Sequence, residues 1–308
     1  MRPPPPPISE TVFLVNPASA NGSTGRRWPE IARRAATRGL EGDALISERP
    51  GHLTALARQA VQGGAKLLVV VGGDGSVNEV ANGVHDVGAE IAVLARGTGW
   101  DFIRTYGIPH ALDGALDVAL NGTGRTVDLG RVHYRGWNGG QATTYFANVA
   151  SAGMSGAIAQ RANDTTKALG GKASYLWATF AVFSRWQNSE LRVSVDDEIR
   201  GGRMHDVVVA NGRCFGGGMR ICPEAEPDDG LFDVLTIGDL TKRDLLTTLP
   251  KTFWGGHLPH PKAELLRGAV VTVDAPEPLP IELDGEQPGT TPARFEIVRS
   301  ALRVRVPS

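Results

Sequence analysis

Two cysteines in 308 residues, Cys214 and Cys222, leave this chain with no disulfide framework and no zinc spacing with histidine. Net charge is nearly absent too: at −1, no overall field draws the protein to nucleic acid or an anionic membrane. No apolar run approaches the ~18 residues a membrane-spanning helix needs. The start, Met1-Arg2 followed by Pro3 to Pro7, lacks the apolar centre of a signal peptide and reads as a short polyproline tail. Missing as well are a G-x-x-x-x-G-K-[ST] phosphate loop, a G-x-G-x-x-G after the first strand, a G-x-S-x-G elbow and an H-E-x-x-H helix. The seven histidines show no ligand spacing. With 41% apolar and 21% charged residues, the expectation is a reduced, cytoplasmic protein of two domains that binds no nucleic acid.

What is present first is alternation. Strand patterns at Thr11–Val15, Asp43–Ile46, Lys66–Val71 and Ile91–Leu94 interleave with helix patterns at Arg27–Thr37, His52–Val61, Ser76–Val84 and Ala111–Leu120. Over residues 1–127 this predicts right-handed crossovers and a doubly wound parallel sheet, an α/β N-terminal domain. Ligands of such sheets sit beyond the carboxyl ends of the strands, where Asn16, Ser47, Gly73 and Thr98 fall. After Val127, short runs at Thr144–Val149, Leu191–Val195, Asp206–Ala210, Phe232–Ile237, Ala269–Val273, Ile281–Leu283 and Phe295–Val298 are parted by Gly, Asn, Asp and Pro turns. They predict a β-rich antiparallel, sandwich-like C-terminal domain over 128–300, with a last strand over 301–308 pairing back to the first domain. Ser174–Trp186 is apolar all round, so it reads as a buried helix, with lipid contact as the competing role.

The richest stretch is Val69-Val70-Val71-Gly72-Gly73-Asp74-Gly75-Ser76-Val77-Asn78-Glu79. An apolar strand runs into glycines that let backbone approach a ligand where a Cβ would collide. Ser76 and Glu79 have capping-box spacing, which places a helix start at Ser76. Helix starts present unpaired amides to phosphate, so this loop is a candidate nucleotide cradle with the Asp74 carboxylate beside it. Asn16-Pro17-Ala18-Ser19-Ala20 after the first strand and Arg96-Gly97-Thr98-Gly99-Trp100-Asp101-Phe102 after the fourth are two further strand-end loops. The second of these also reads as a plain turn with Asp101 capping a helix.

Two acidic clusters follow. Glu224, Glu226, Asp228, Asp229 and Asp233 lie in a Pro- and Gly-constrained turn, an oxygen-rich arrangement that suits Mg²⁺. In Ile281-Glu282-Leu283-Asp284-Gly285-Glu286, Asp284 and Glu286 share a face if the backbone stays extended. One of them could then accept a proton from an attacking hydroxyl. An Asp-Gly hairpin turn is the competing reading.

With these residues laid out, the chain resembles the diacylglycerol kinase catalytic-domain family, in the soluble bacterial form related to sphingosine and ceramide kinases. Gly72-Gly73-Asp74-Gly75-Ser76-Val77-Asn78-Glu79-Val80-Ala81-Asn82-Gly83 is similar to its GGDGT-x-NEVxNG signature. Asn211-Gly212, Gly216-Gly217-Gly218, Pro223-x-Ala225, Asp229-Gly230-x-Phe232-x-Val234 and Asp284-Gly285-Glu286 match its C-terminal half in order. The resemblance implies ATP contact by Asn16, Pro17, Ala18, Ser19, Ala20, Ser47, Gly72, Gly73, Asp74, Gly75, Ser76, Val77, Asn78, Glu79 and Thr98. It also implies a structural Mg²⁺ held by Asp229 with the backbone oxygens of Glu226 and Leu231. Glu286 would be the proton acceptor, helped by Asp284; some relatives give that role to the aspartate matching Asp74. The implied activity is ATP-dependent phosphorylation of a lipid hydroxyl, on diacylglycerol or a related lipid, at the membrane surface, with a homodimer as a possible assembly. Two positions depart from the pattern: Trp100 replaces an amide, and Ser47 replaces a threonine while keeping the hydroxyl. NAD kinases share Gly-Gly-Asp-Gly, and a nucleotide- or lipid-binding regulator without catalysis is the rival of another class. The Asp-Gly-Glu ending favours a lipid kinase.

Overall fold

The computed structural model describes residues 8–158 and 186–308. The chain divides into two compact units, one up to Val127 together with Ser300–Ser308, the other Asp128–Arg299. The helix expected over 174–186 lies outside the described residues except for Trp186.

In the first unit the parallel strands β1 (Thr11–Val15), β2 (Asp43–Ile46), β3 (Leu67–Gly72) and β4 (Glu90–Ala95) run in the order β4-β3-β1-β2. The last strand, β14 (Glu286–Val306), pairs Arg303 and Val304 in parallel with Glu90 and Ile91. Every residue of β3 is buried, as a strand covered on both faces must be. Helices α1 (Ser23–Thr37) and α5 (Leu112–Asn121) cover one face, where Ile31, Ala35, Leu116 and Ala119 pack on Phe13, Val15, Val69 and Leu94. Helices α2 (His52–Gln62) and α3 (Asp74–Val84) pack together, so closely that a Cβ on Gly83 would lie 2.7 Å from the Thr54 carbonyl oxygen.

The start of α3 corrects the capping-box expectation. The helix begins at Asp74, with Gly73 extended at its N-cap (φ −91°, ψ −172°) and no side chain capping it. Ser76 is thus already inside the first turn. Its hydroxyl accepts from Asn16 Nδ2 (2.9 Å), and Glu79 Oε2 accepts from the Leu53 amide (3.0 Å) at the start of α2. Tertiary partners have taken both side chains away from the local box.

In the second unit, β7 (Val149–Gly153), β9 (Glu198–Ala210), β10 (Phe232–Gly238), β11 (Ala263–Gly268) and β13 (Pro280–Leu283) form an antiparallel sheet in the order β11-β10-β9-β7-β13. A second layer pairs β8 (Ser189–Val195) with the first half of β9 and with β12 (Val270–Asp274), which in turn pairs with Ala293–Glu296 of β14. Strands β9 and β14 each serve both layers. Between them lie Phe146, Phe232 and Phe295, with ring centroids 5.7 Å and 6.1 Å from Phe146, among Val193, Val209 and Ile281. This is the sandwich-like architecture that short strand patterns predict. The run expected as one strand over Thr144–Val149 is two, because β6 (Gln141–Phe146) stops before Ala147 and Asn148, whose amides are diverted to Asp284. A helix α6 (Lys242–Thr248) and a 3-10 helix (Leu249–Trp254) carry no sequence pattern noted above.

Candidate active site

The order of the parallel strands reverses at β1, with β2 on one side and β3 on the other, which makes the β1 and β3 ends the place where such sheets bind ligands. Asn16 stitches the loops there. Its amide donates to the Val71 carbonyl (3.0 Å), its Oδ1 accepts from the Ala18 amide (3.1 Å), and its Nδ2 donates to Ser76. Ser19 donates to the Asn16 carbonyl (3.0 Å) and shares a hydrogen with the Thr24 hydroxyl (2.6 Å). Ala20 and Asn21 follow Pro17 and Ala18 in left-handed conformation (φ 51° and 53°). Ser47 is buried at the end of β2, its amide donating to Val15 (2.9 Å).

Crowding explains the glycines. A Cβ on Gly72 would lie 2.3 Å from Ser76 Oγ, and one on Gly97 would lie 2.8 Å from Gly73 Cα. The loops after β3 and β4 therefore cross backbone to backbone. Asp74 Oδ1 accepts from the Phe102 amide (2.9 Å), so it caps the short helix α4 (Asp101–Thr105); a Cβ on Gly99 would meet Asp74 Oδ2 at 2.5 Å. The Gly73 carbonyl takes the amides of Ser76 (2.9 Å) and Val77 (3.2 Å). Val77 is buried, Asn78 accepts from Asn82, and Glu79 is bonded to α2, so these three side chains face the helices, while Thr98 is exposed. A depression at this point is lined by Gly72, Gly73, Asp74, Ala95, Trp100 and Phe102.

Trp100, which departs from the family pattern, makes a polar contact of its own. It sits in left-handed conformation (φ 62°), its indole N–H donates to the Gly97 carbonyl (2.7 Å), and its ring lies 3.7 Å from that of His110. The Arg104 guanidinium stands 5.7 Å from the Trp100 ring. Burial lowers the Arg96 pKa, and the neighbouring Arg27 lowers it further; burial also lowers that of His110, with Arg96 and Arg104 adding to the effect. Three guanidinium groups thus gather where β4 ends, in a chain of net charge −1. The sequence places Arg96 in the loop after the fourth strand without assigning it a role; its position directly after a parallel strand is the signal that points to one.

In the second unit, Asp284 and Gly285 make the two-residue hairpin turn between β13 and β14, both left-handed (φ 48° and 91°), with Leu283 paired to Glu286. This overturns the face-sharing expectation, because Asp284 is not on extended backbone. Its carboxylate turns back to accept the amides of Ala147 (2.6 Å), Asn148 (2.9 Å) and Val149 (3.0 Å). Glu286, exposed, opens β14.

Glu282, which the sequence did not single out, is buried beneath this turn, accepting from the Ser151 hydroxyl (3.2 Å) and the Gly285 amide. Burial pushes its pKa up to about 8, with the Asp284 charge adding to the rise. On β9, Asp206 accepts from the Ser155 amide (3.1 Å) and hydroxyl, and burial raises it to about 7. Both values lie above those of the unfolded chain. Their stabilising contribution is whole below pH ~4 and is lost as pH rises through about 7 and about 8. Chemical unfolding between pH 5 and 8 should show stability falling by up to about 1.4 kcal/mol per pH unit per group. In Glu282→Gln the slope over this range should flatten; an unchanged slope would show that Glu282 does not hold the extra proton.

The acidic turn is anchored by buried Asp128, which accepts from the Gly230 amide (2.8 Å) and donates its own amide to Pro227 (2.7 Å). Asp229 accepts from the Leu231 amide (2.9 Å), donates its amide to the Glu226 carbonyl (3.4 Å), and pairs with Arg267. Burial raises the Asp233 pKa, Arg267 opposes it, and Asp229, Glu224 and Glu226 reinforce it; Asp233 Oδ2 is buried with no hydrogen-bond partner. The buried, unsatisfied Asp233 Oδ2 close to Asp229 is the feature of this turn that suits a hard cation keeping several waters. Among the described residues no three His, Cys, Asp or Glu side chains converge as a metal cluster, and Arg267 neutralises Asp229 instead.

The family described as the diacylglycerol kinase catalytic domain matches residues 10–132, and that described as the YegS C-terminal NAD kinase beta sandwich-like domain matches residues 148–306. A diacylglycerol kinase of Staphylococcus carnosus is 26% identical over 96% of this chain and 94% of its own length. One from Staphylococcus saprophyticus is 24% identical over 96% and 95%. A crystal structure of a diacylglycerol kinase from Bacillus anthracis, 18% identical, covers 97% of each chain with a TM-score of 0.72, a likeness of fold. Glycine loops at a strand switch point, an Asp-Gly-Glu hairpin on a β-sandwich, and both matches along the chain lead to one conclusion: this protein belongs to the diacylglycerol kinase catalytic-domain family.

Proposed function

We propose that this protein is an ATP- and Mg²⁺-dependent lipid kinase acting on diacylglycerol or a closely related lipid. The lipid hydroxyl oxygen attacks the γ-phosphorus of ATP, the bond to ADP breaks, and the hydroxyl proton passes to Glu286. The observation that carries this reading is the close crossing of the Gly73 and Gly97 backbones beside Asp74, where a Cβ on Gly97 would lie 2.8 Å from Gly73 Cα, with Arg96 and Arg104 at the same strand end. Phosphoryl transfer asks mainly for positioning and charge neutralisation, and backbone amides with guanidinium groups supply both.

In this reading Asn16, Ser19 and Ser47 line the nucleotide, while the amides of Gly73, Asp74 and Gly75 meet its phosphates, since those of Ser76 and Val77 are already engaged. Asp74 holds α4 and thereby the Gly97–Trp100 loop in place. Glu226, Asp229 and Leu231 would hold magnesium, which neutralises charge and fixes the acidic turn when bound. Asp229→Asn should raise the magnesium midpoint for activity by about tenfold. An unchanged magnesium titration together with an unchanged melting temperature would remove that site.

Among the described residues no helix is long and apolar enough to cross a membrane. Access to a lipid would thus be peripheral, from the cytoplasmic face. The C-terminal match to a sandwich named for NAD kinase keeps NAD as a second acceptor to test. Purified protein, labelled ATP and magnesium should be incubated with micelles containing diacylglycerol, ceramide or a sphingoid base, and separately with NAD. Label in the diacylglycerol fraction is expected. Label in NAD alone, or ATP binding without any transfer, would defeat the lipid-kinase reading.

A further inference from the structure

Along α6 and the 3-10 helix after it, large apolar side chains project into water. Eight such residues are exposed among those described, and three of them, Leu246 (65%), Phe253 (52%) and Trp254 (64%), fall in this one segment. The segment is firmly seated. Thr241 and Asp244 form a reciprocal capping box at the start of α6. Leu245, Thr248 and Thr252 are buried, the Thr252 carbonyl accepts from the Arg220 amide (2.8 Å), and the buried His257 ring bonds the Ile221 carbonyl (2.9 Å). With the inner edge held, the outer edge is presented rather than frayed.

Charge accompanies this edge. Lys242, Arg243 and Lys251 are exposed, and a Cβ on Gly256 would lie 2.5 Å from the Trp254 indole nitrogen and 3.5 Å from Lys251 Cβ, so the ring and the base of the lysine side chain flank the same glycine. Asp244, the one acidic residue between Leu240 and Gly256, is held by Lys262 at 2.8 Å and by the cap. An apolar edge with a tryptophan, flanked by cations and with its carboxylate neutralised, complements an anionic lipid surface. Apolar groups and aromatic rings settle at the headgroup boundary while Lys and Arg meet lipid phosphates.

We propose that the outer edge of α6 and the 3-10 helix, formed by Leu246, Phe253 and Trp254 with Lys242, Arg243 and Lys251, docks the protein on an anionic phospholipid bilayer. The purpose of this surface rests on the lipid-kinase reading; its evidence is the exposed edge itself.

The test uses the full chain, sedimented with phosphatidylcholine vesicles with and without phosphatidylglycerol. The parent should bind the anionic vesicles, and less so as salt rises. The variant L246S/F253S/W254S, changed only at exposed positions, should partition at least about tenfold more weakly. Its kcat/KM on a short-chain diacylglycerol dispersed as monomers should stay within about twofold of the parent. The single variant Trp254→Ala guards against misfolding of the triple one and should lose binding in the same direction. Equal vesicle binding by parent and variants would overturn the proposal. So would a parent dimer, seen by sedimentation velocity, that the triple variant dissociates while neither binds vesicles, since the edge would then cover a second copy of the chain. Transfer to dispersed lipid without docking would sink the surface and leave the kinase reading standing; docking without transfer to any lipid would do the reverse.

Discussion

Glu286→Gln should lower turnover by about 10²-fold or more, the usual range for a group that moves a proton in the transition state. The side chain is exposed at the first residue of β14, so the substitution removes a proton acceptor without opening a cavity. Melting temperature and ATP binding should therefore match the parent, and the loss should appear in kcat more than in KM. Near-normal turnover in the folded variant would take the role away from Glu286. Asp74, to which some relatives give that role, already accepts the Phe102 amide at 2.9 Å, and replacing it should disturb the loop after β4 as well as any chemistry.

The second large effect falls on stability. Asp284→Ala should destabilise the protein by about 3–5 kcal/mol, because three amides, those of Ala147, Asn148 and Val149, lose one charged acceptor together. The melting temperature should fall by roughly 10 °C. Turnover should fall with it, since the turn that carries Glu286 is tied to the start of β7 through this carboxylate. Asp284→Asn keeps one acceptor oxygen and should lie between parent and alanine variant. If turnover collapsed in Asp284→Ala while the melting curve did not move, Asp284 would act on the substrate instead of on the turn.

Strand and helix order in the first unit was legible because its signals are local. A parallel strand buried on both faces, such as β3, is written as an unbroken apolar run, and an amphipathic helix as a periodic one. Strand β5 (Thr123–Gly136) was not legible, because Gly124, Gly130 and Gly136 interrupt it. Gly130 has a reason found only in the folded chain: a Cβ there would lie 2.1 Å from the Phe146 ring. In the candidate site, motif spacing marked the loops that meet at the strand ends and misjudged several side chains within them. The capping box at Ser76 and Glu79, and the shared face of Asp284 and Glu286, are locally reasonable and yield to distant partners: Asn16, Leu53 and the amides after Phe146.

By itself the sequence determined the alternation of elements, the two chemistries of fold in the N- and C-terminal parts, the glycine loop and the acidic turns, since each depends on residues close together in the chain. The folded structure alone decided that Asp74 caps α4, that Glu282 lies buried under the hairpin, and that Trp100 bonds back to Gly97. A polar side chain removed from water takes whichever donor or acceptor the packed chain brings to it, and for Asp284 that partner is 137 residues away.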